Sequence, residues 1–209
     1  MELRLAELAD AAQVRDIYAP SCFTPISFEE GPPSVEEMQR RMAAILETMP
    51  WLVCANDRLV IGYAYAGPHR QRAGYRWSTE VSAYIREGHR GLGIGRALYT
   101  CLLDLVRLQG FYNAYAGITL PNPASVRLHE AMGFQPVGIY RDVGYKCGQW
   151  HDVGWWQLCL QPLTATPTPP KPLAAVRDSA GWQEAFRNGM STLDNRSHPV
   201  RSPLGHVRR

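Results

Sequence analysis

Glu87-Gly88-His89-Arg90-Gly91-Leu92-Gly93-Ile94-Gly95-Arg96 is the stretch on which the reading of this chain turns. Before it, Val81, Ala83 and Ile85 alternate with Glu80, Ser82 and Tyr84, so residues 77–85 read as a two-faced strand. After it, Leu98, Leu102 and Leu105 recur on one stripe, and a helix is expected over about 95–109. Glycines at alternate positions let the backbone turn tightly and bare consecutive N–H groups at a helix N-terminus. There the helix dipole favours a diphosphate. Two familiar phosphate loops do not fit. The dinucleotide fingerprint GxGxxG needs glycine at 96, where Arg96 stands, and GxxxxGK[ST] is absent. What remains is RxxGxG between a strand and a helix.

On either side the sequence alternates strands and helices. Residues 3–6 read as a first strand, and Asp10 as the cap of a helix ending near Tyr18. Ser34 and Glu37 form a capping box for a helix from 35 to about 48, stopped by Pro50. Residues 51–55 and 59–66 are strands joined through Asn56-Asp57-Arg58. Residues 112–120 read as another strand. Asn122 then caps a helix with Pro123 at its first position and Gly133 past its end. Strands at about 137–140 and 153–160 close the domain. The expected class is α/β (α+β), a mixed central β-sheet flanked by helices.

Bulk properties narrow the function. A chain of 209 residues suits one packed domain with an appendage. No apolar run approaches the ~20 residues of a membrane span, and MELRLAELADA lacks the apolar core of a signal peptide. No membrane partner and a cytoplasmic location are therefore expected. The five cysteines (Cys22, Cys54, Cys101, Cys147, Cys159) show no CxxC spacing, which points to free thiols and no metal. The net charge of +3 is concentrated at the C-terminus. Residues 163–209 hold seven basic and three acidic side chains, of 22 and 19 in the whole chain. The nearly neutral body has no basic face, so no nucleic-acid partner is expected. Residues 1–162 are expected to form the main domain. Residues 163–209 read as a Pro-rich linker (PLTATPTPPKP) and a basic, disordered tail, dispensable from residue 166 onward, with one short helix over 179–188 carrying Trp182 and Phe186.

Residues 78–97, STEVSAYIREGHRGLGIGRA, resemble the GNAT superfamily of acetyltransferases. Pro50-Trp51-Leu52-Val53, Gly62-Tyr63-Ala64-Tyr65-Ala66-Gly67-Pro68, Leu120-Pro121-Asn122-Pro123-Ala124-Ser125-Val126-Arg127-Leu128-His129-Glu130 and Gly144-Tyr145-Lys146-Cys147-Gly148-Gln149-Trp150-His151-Asp152-Val153-Gly154 are similar to its phosphinothricin N-acetyltransferase group, over about residues 2–165. Cys147 stands where that group usually has His. The resemblance implies the GNAT fold, with acetyl-CoA in the splay between two central strands, and a homodimer. It implies acetyl transfer to the α-amine of a small amino-acid-like substrate such as phosphinothricin, methionine sulfoximine or methionine sulfone. Ala83, Tyr84 and Ile85 would pair with the pantetheine arm. Arg90, Gly91, Leu92, Gly93, Ile94, Gly95 and Arg96 would hold the diphosphate, with Asn122 and Ser125 adding further contacts.

Amine acetylation by a thioester needs a neutral amine, a stabilised oxyanion and a proton for the departing thiolate. Glu80 matches the family's base, or simply pairs with an arginine such as Arg76. A strand bulge near 81–83 would present an N–H to the oxyanion. His129 and His151 both remain open as the thiolate's acid. Arg72 and Arg76 suit the acceptor's carboxylate, while Phe28 and Glu30 belong to a loop expected to cover the substrate. Acetylation of a protein N-terminus or another amine is the enzymatic alternative. A catalytically idle acetyl-CoA-binding module is the non-enzymatic one, and intact Glu80, His129 and His151 favour an enzyme.

Overall fold

In the computed structural model, which describes residues 1–194, seven strands form one sheet. They are β1 (Glu2–Leu5), β2 (Trp51–Asn56), β3 (Leu59–Pro68), β4 (Ser78–Ile85), β5 (Asn113–Thr119), β6 (Gln135–Lys146) and β7 (Gln149–Cys159). Their order is β1-β2-β3-β4-β5-β7-β6, and only β4 and β5 run parallel. The helices are α1 (Ala11–Tyr18), α2 (Val35–Leu46), α3 (Ile94–Gln109), α4 (Pro123–Ala131), α5 (Leu173–Val176) and α6 (Ala180–Asp194).

Strand β2 shows why both faces of the sheet are covered. Leu52 and Cys54 join a core with α3, whereas Trp51 and Val53 join another with α1 and α2. An alternating strand buried on both sides reads as an unbroken apolar run, as Trp51 to Ala55 does. The caps are half as expected. Ser34 Oγ accepts from Glu37 N–H at 3.1 Å, but the Glu37 carboxylate turns to Arg41 at 2.8 Å. The Asp10 side chain does not cap α1 but closes the capping box of the short turn before it, Leu8–Asp10. It takes two bonds from Arg4, at 2.7 and 2.8 Å, and one from Glu7 N–H at 2.8 Å.

The feature that positions a site is where β4 and β5 part. Their ladder runs from Ser78↔Asn113 to Glu80↔Tyr115 and stops. Beyond it β4 stays with β3 and β5 stays with β7, so the two half-sheets diverge. The bulge expected near 81–83 is not found. The β3–β4 register is continuous from Gly62↔Ile85 to Pro68↔Thr79, and the opening comes from strand divergence instead. Strands β6 and β7 are longer than the sequence suggested. They meet at Cys147-Gly148, both with positive φ (51° and 81°), as a tight two-residue hairpin turn requires.

The C-terminal segment corrects the expectation of a disordered tail. Leu173, Val176, Trp182, Ala185 and Leu193 are buried in the same core as α3. Gly181, Ala185 and Gly189 place small residues on one face of α6. A Cβ on Gly189 would lie 2.9 Å from both the Ala97 carbonyl and Cys101 Cβ, so glycine permits the close approach. The linker is tied down as well. Trp77 Nε1–H donates to Thr168 O at 2.8 Å, and Gln109 exchanges bonds with Lys171 at 2.7 and 2.9 Å. Proline-rich composition argues against regular structure there, but not against docking of the helix that follows. Residues 195–209, the rest of the expected basic tail, lie outside the described residues.

Candidate active site

The glycine turn has the backbone its sequence requires. Gly88, Gly91 and Gly93 all have positive φ (81°, 79° and 86°), a region that costs other residues about 1–2 kcal/mol. Gly93 is the N-cap of α3, and the Ala97 N–H is the first to bond within the helix, to Gly93 O at 3.0 Å. The N–H groups of residues 94–96 therefore face no helical acceptor. Gly95 serves packing too, because a Cβ there would lie 3.1 Å from Leu128 on α4.

A cleft of about 520 Å³ runs from this turn into the parting of β4 and β5. Of the expected coenzyme residues, Ala83, Tyr84, Ile85, Arg90, Gly91, Gly93, Ile94, Gly95, Arg96, Asn122 and Ser125 line it. Leu92 does not, and its side chain is exposed. On the edge of β4 facing the cleft, alternate N–H and C=O groups beyond Glu80 have lost their ladder partners. Asn122 Oδ1 accepts from Ser125 N–H at 3.2 Å, which commits the oxygen to capping α4 and leaves its amide N–H₂ for another partner.

His129 lines the cleft yet has both ring nitrogens engaged. Nδ1 lies 2.8 Å from the Ser125 carbonyl, which can only accept, so Nδ1 carries the proton. Nε2 then accepts from the Tyr99 hydroxyl at 3.0 Å. Burial is the main cause holding the imidazole below its ordinary pKa, consistent with this neutral form. Tyr99 also lines the cleft, and burial raises its phenol, keeping the hydroxyl protonated. Sequence reasoning passed over Tyr99 because it sits between the leucines of the α3 stripe.

His151 lies elsewhere. Its Nε2–H donates to the Lys146 carbonyl at 2.9 Å across the hairpin, and its ring lies 6.3 Å from that of Phe28. Phe28 in turn packs on the backbone of Gly144. Lys146 Nζ, unremarked in the sequence, donates to Cys22 O at 2.7 Å and also to the carbonyls of Ser27 and Glu29, anchoring that loop to the hairpin. Cys147 is exposed at the hairpin turn, away from the cleft. Glu30 is exposed, while Glu29 pairs with Arg41 at 2.6 Å.

Glu80 sits at the last rung before β4 and β5 part, with its side chain 35% exposed. Its Oε1 accepts from Arg70 Nη1 at 2.8 Å and meets His69 Nδ1 at 2.9 Å. Arg76, the partner the sequence suggested, donates to Ala73 O at 2.9 Å and lies over the Trp77 ring instead. Arg72 is exposed and has no side-chain partner among the described residues. His69 and Arg70 follow the YAYAGP strand directly, and the β3–β4 register carries them back beside Glu80. No cluster of His, Cys, Asp or Glu suited to a metal occurs among the described residues. No helix among them is long and apolar enough to cross a membrane.

Residues 3–155 match the family model described as an acetyltransferase (GNAT) domain. The chain is 41% identical over 177 residues to a phosphinothricin N-acetyltransferase of Streptomyces viridochromogenes, covering 84% of this chain and 96% of the relative. It is 33% identical to an L-methionine sulfoximine/L-methionine sulfone acetyltransferase of Salmonella typhimurium, over 77% of this chain and 95% of the relative. A crystal structure of a phosphinothricin acetyltransferase from Sinorhizobium meliloti in complex with acetyl-CoA superimposes with a TM-score of 0.75 at 37% identity. That match covers 85% of this chain and 96% of the other.

Proposed function

The chain belongs to the GNAT acetyltransferases, and from that premise we propose that it transfers acetyl from acetyl-CoA to the α-amine of a small amino-acid-like acceptor of the phosphinothricin, methionine sulfone or methionine sulfoximine type. The observation that carries this reading is the position of Glu80. It stands on the last rung before β4 and β5 part, next in the strand to Val81, which lines the same cleft as the glycine turn.

The turn and the α3 N-terminus take the diphosphate through backbone N–H groups. The exposed edge of β4 takes the pantetheine arm as an added strand. Glu80 removes the proton from the acceptor's ammonium group, directly or through water. The freed amine attacks the thioester carbonyl, and a β4 N–H receives the negative oxygen. Collapse breaks the C–S bond, the thiolate takes the Tyr99 hydroxyl proton as it turns from His129 Nε2, and the second proton on the acetylated nitrogen passes through water to restore Tyr99. Arg72 supplies a cation for the acceptor's carboxylate. Phe28, His151 and Lys146 hold the covering loop in place. A second copy of the chain covers β6, the edge strand whose Val137, Ile139, Tyr140, Val143 and Tyr145 are exposed.

A thiol-release screen tests the reading. Acetyl-CoA is offered with phosphinothricin, methionine sulfone, methionine sulfoximine, the common amino acids and short peptides. Release is expected with the first three and not with peptides. Preference for a peptide would overturn the acceptor class.

A further inference from the structure

We propose that His69 is a positioning residue for Glu80, fixing one carboxylate oxygen so that the other is presented to the amine. The inference builds on the reading of Glu80 as the base. Oε1 is met by two groups, His69 Nδ1 at 2.9 Å and Arg70 Nη1 at 2.8 Å, while Oε2 has no hydrogen-bond partner among the described residues. A carboxylate only accepts, so Nδ1 is the donor in this pair. Such an arrangement divides the two oxygens. One is anchored, and the other keeps its lone pairs for a proton.

The two donors differ in how firmly they are held. The Arg70 side chain is 42% exposed, and although its Nη1 also donates to the His69 carbonyl at 2.7 Å and its guanidinium lies over the Trp155 ring at 5.3 Å, its ion pair with Glu80 is open to solvent. The His69 side chain is 12% exposed and boxed by rings. Tyr115 stacks on its face at 4.4 Å with 17° between the planes. Tyr75 and Trp155 meet it edge-on at 5.8 and 5.9 Å. Tyr115 is also the residue opposite Glu80 on the last rung between β4 and β5. The imidazole is thus keyed to the strand that forms the other wall of the opening. A histidine merely filling space among aromatics would not need its donor aimed at this carboxylate. Base catalysis depends on geometry of this quality, because a small misplacement of the accepting oxygen lowers the rate without changing coenzyme binding.

Four variants with acetyl-CoA and phosphinothricin test the proposal. His69→Phe keeps the ring stack and removes the donor. It should lower kcat about tenfold with the KM for acetyl-CoA within about twofold of wild type. His69→Asn can place its amide nitrogen near the position of Nδ1 and should recover most of that loss. In a Glu80→Gln background, His69→Phe should add less than about twofold, since a residue acting through Glu80 loses its effect when Glu80 is gone. Should the Phe variant melt early, His69→Met in the same cycle replaces it. Wild-type kcat in His69→Phe, an undiminished loss in the Glu80→Gln background, or failure of Asn to rescue would each overturn the proposal. Near-wild-type turnover in Glu80→Gln alone would instead overturn the assignment of Glu80 as the base, and this inference with it.

Discussion

The two halves of the site, the cleft and the cluster around Glu80 beside it, are built from different materials. The half assigned to the coenzyme is backbone: three glycines with positive φ, the open N–H groups of α3 and the unpaired edge of β4. The half assigned to the acceptor is side chains drawn from distant elements. His69 and Arg70 come from the turn just after β3, Glu80 from β4, Tyr115 from β5 and Trp155 from β7. Backbone recognition suits a co-substrate shared across a large family, because it tolerates change in nearly every side chain but glycine. Side-chain recognition suits an acceptor that differs between members. The same division explains what each kind of substitution should do.

The largest effect is expected beneath the coenzyme half. Helix α6 packs on α3 through Gly181 and Gly189, and Trp182 is buried in the core the two helices share. Trp182→Ala should cost about 3–5 kcal/mol, lowering the melting temperature by roughly 10 °C in a chain of this size. A melting temperature within a degree or two of wild type would mean that α6 docks without supporting α3.

Glu80→Gln should lower turnover on the order of 10²-fold while leaving the KM for acetyl-CoA nearly unchanged. A rise in that KM would erase the boundary between the halves. Gly93→Val should do the converse. With φ at 86°, a β-branched residue distorts the turn, and acetyl-CoA affinity measured by calorimetry should fall about tenfold or more. Retained affinity would remove the turn from the coenzyme site.

A smaller effect is expected of His129. Burial holds His129 below its ordinary value of 6.5, so the unfolded chain binds the proton first. The corresponding stability is fully present above about pH 6.5 and is lost as pH falls toward the folded value. Urea unfolding at several pH values should show this slope in wild type and a flatter one in His129→Gln. Equal slopes would contradict a buried, neutral His129. The smallest effect is expected of Arg76→Gln, which should alter kcat and the KM for the acceptor less than about twofold. Its guanidinium is engaged by Ala73 O and Trp77. A large rise in acceptor KM would return Arg76 to the site.

The contrast between backbone and side chains also explains what the sequence disclosed. The glycine turn was legible because φ, spacing and helix start are local properties of residues 87–96. Glu80 was legible as a candidate because it lies on the strand entering that turn. Its partners were not, since register alone brings Gly67 opposite Glu80 and so returns His69 and Arg70 to it. Arg76, nearer in sequence, looked the better partner. Tyr99 was hidden inside an apolar stripe, and Lys146 reaches a loop more than a hundred residues away. The helix α6 was underestimated for a compositional reason. Prolines and basic residues dominate 163–209, while the signal for docking is the small-residue face of Gly181, Ala185 and Gly189. The parting of β4 and β5 had no local signature at all, being a property of which strands each half-sheet follows.

The most direct measurement of the central claim is product stoichiometry. Phosphinothricin and acetyl-CoA are incubated with the protein, and the N-acetylated product, identified by mass spectrometry, is counted against coenzyme A thiol released. The account predicts equal amounts, with both falling together in Glu80→Gln. Thiol release without acetylated phosphinothricin, or binding of acetyl-CoA with neither, would contradict it.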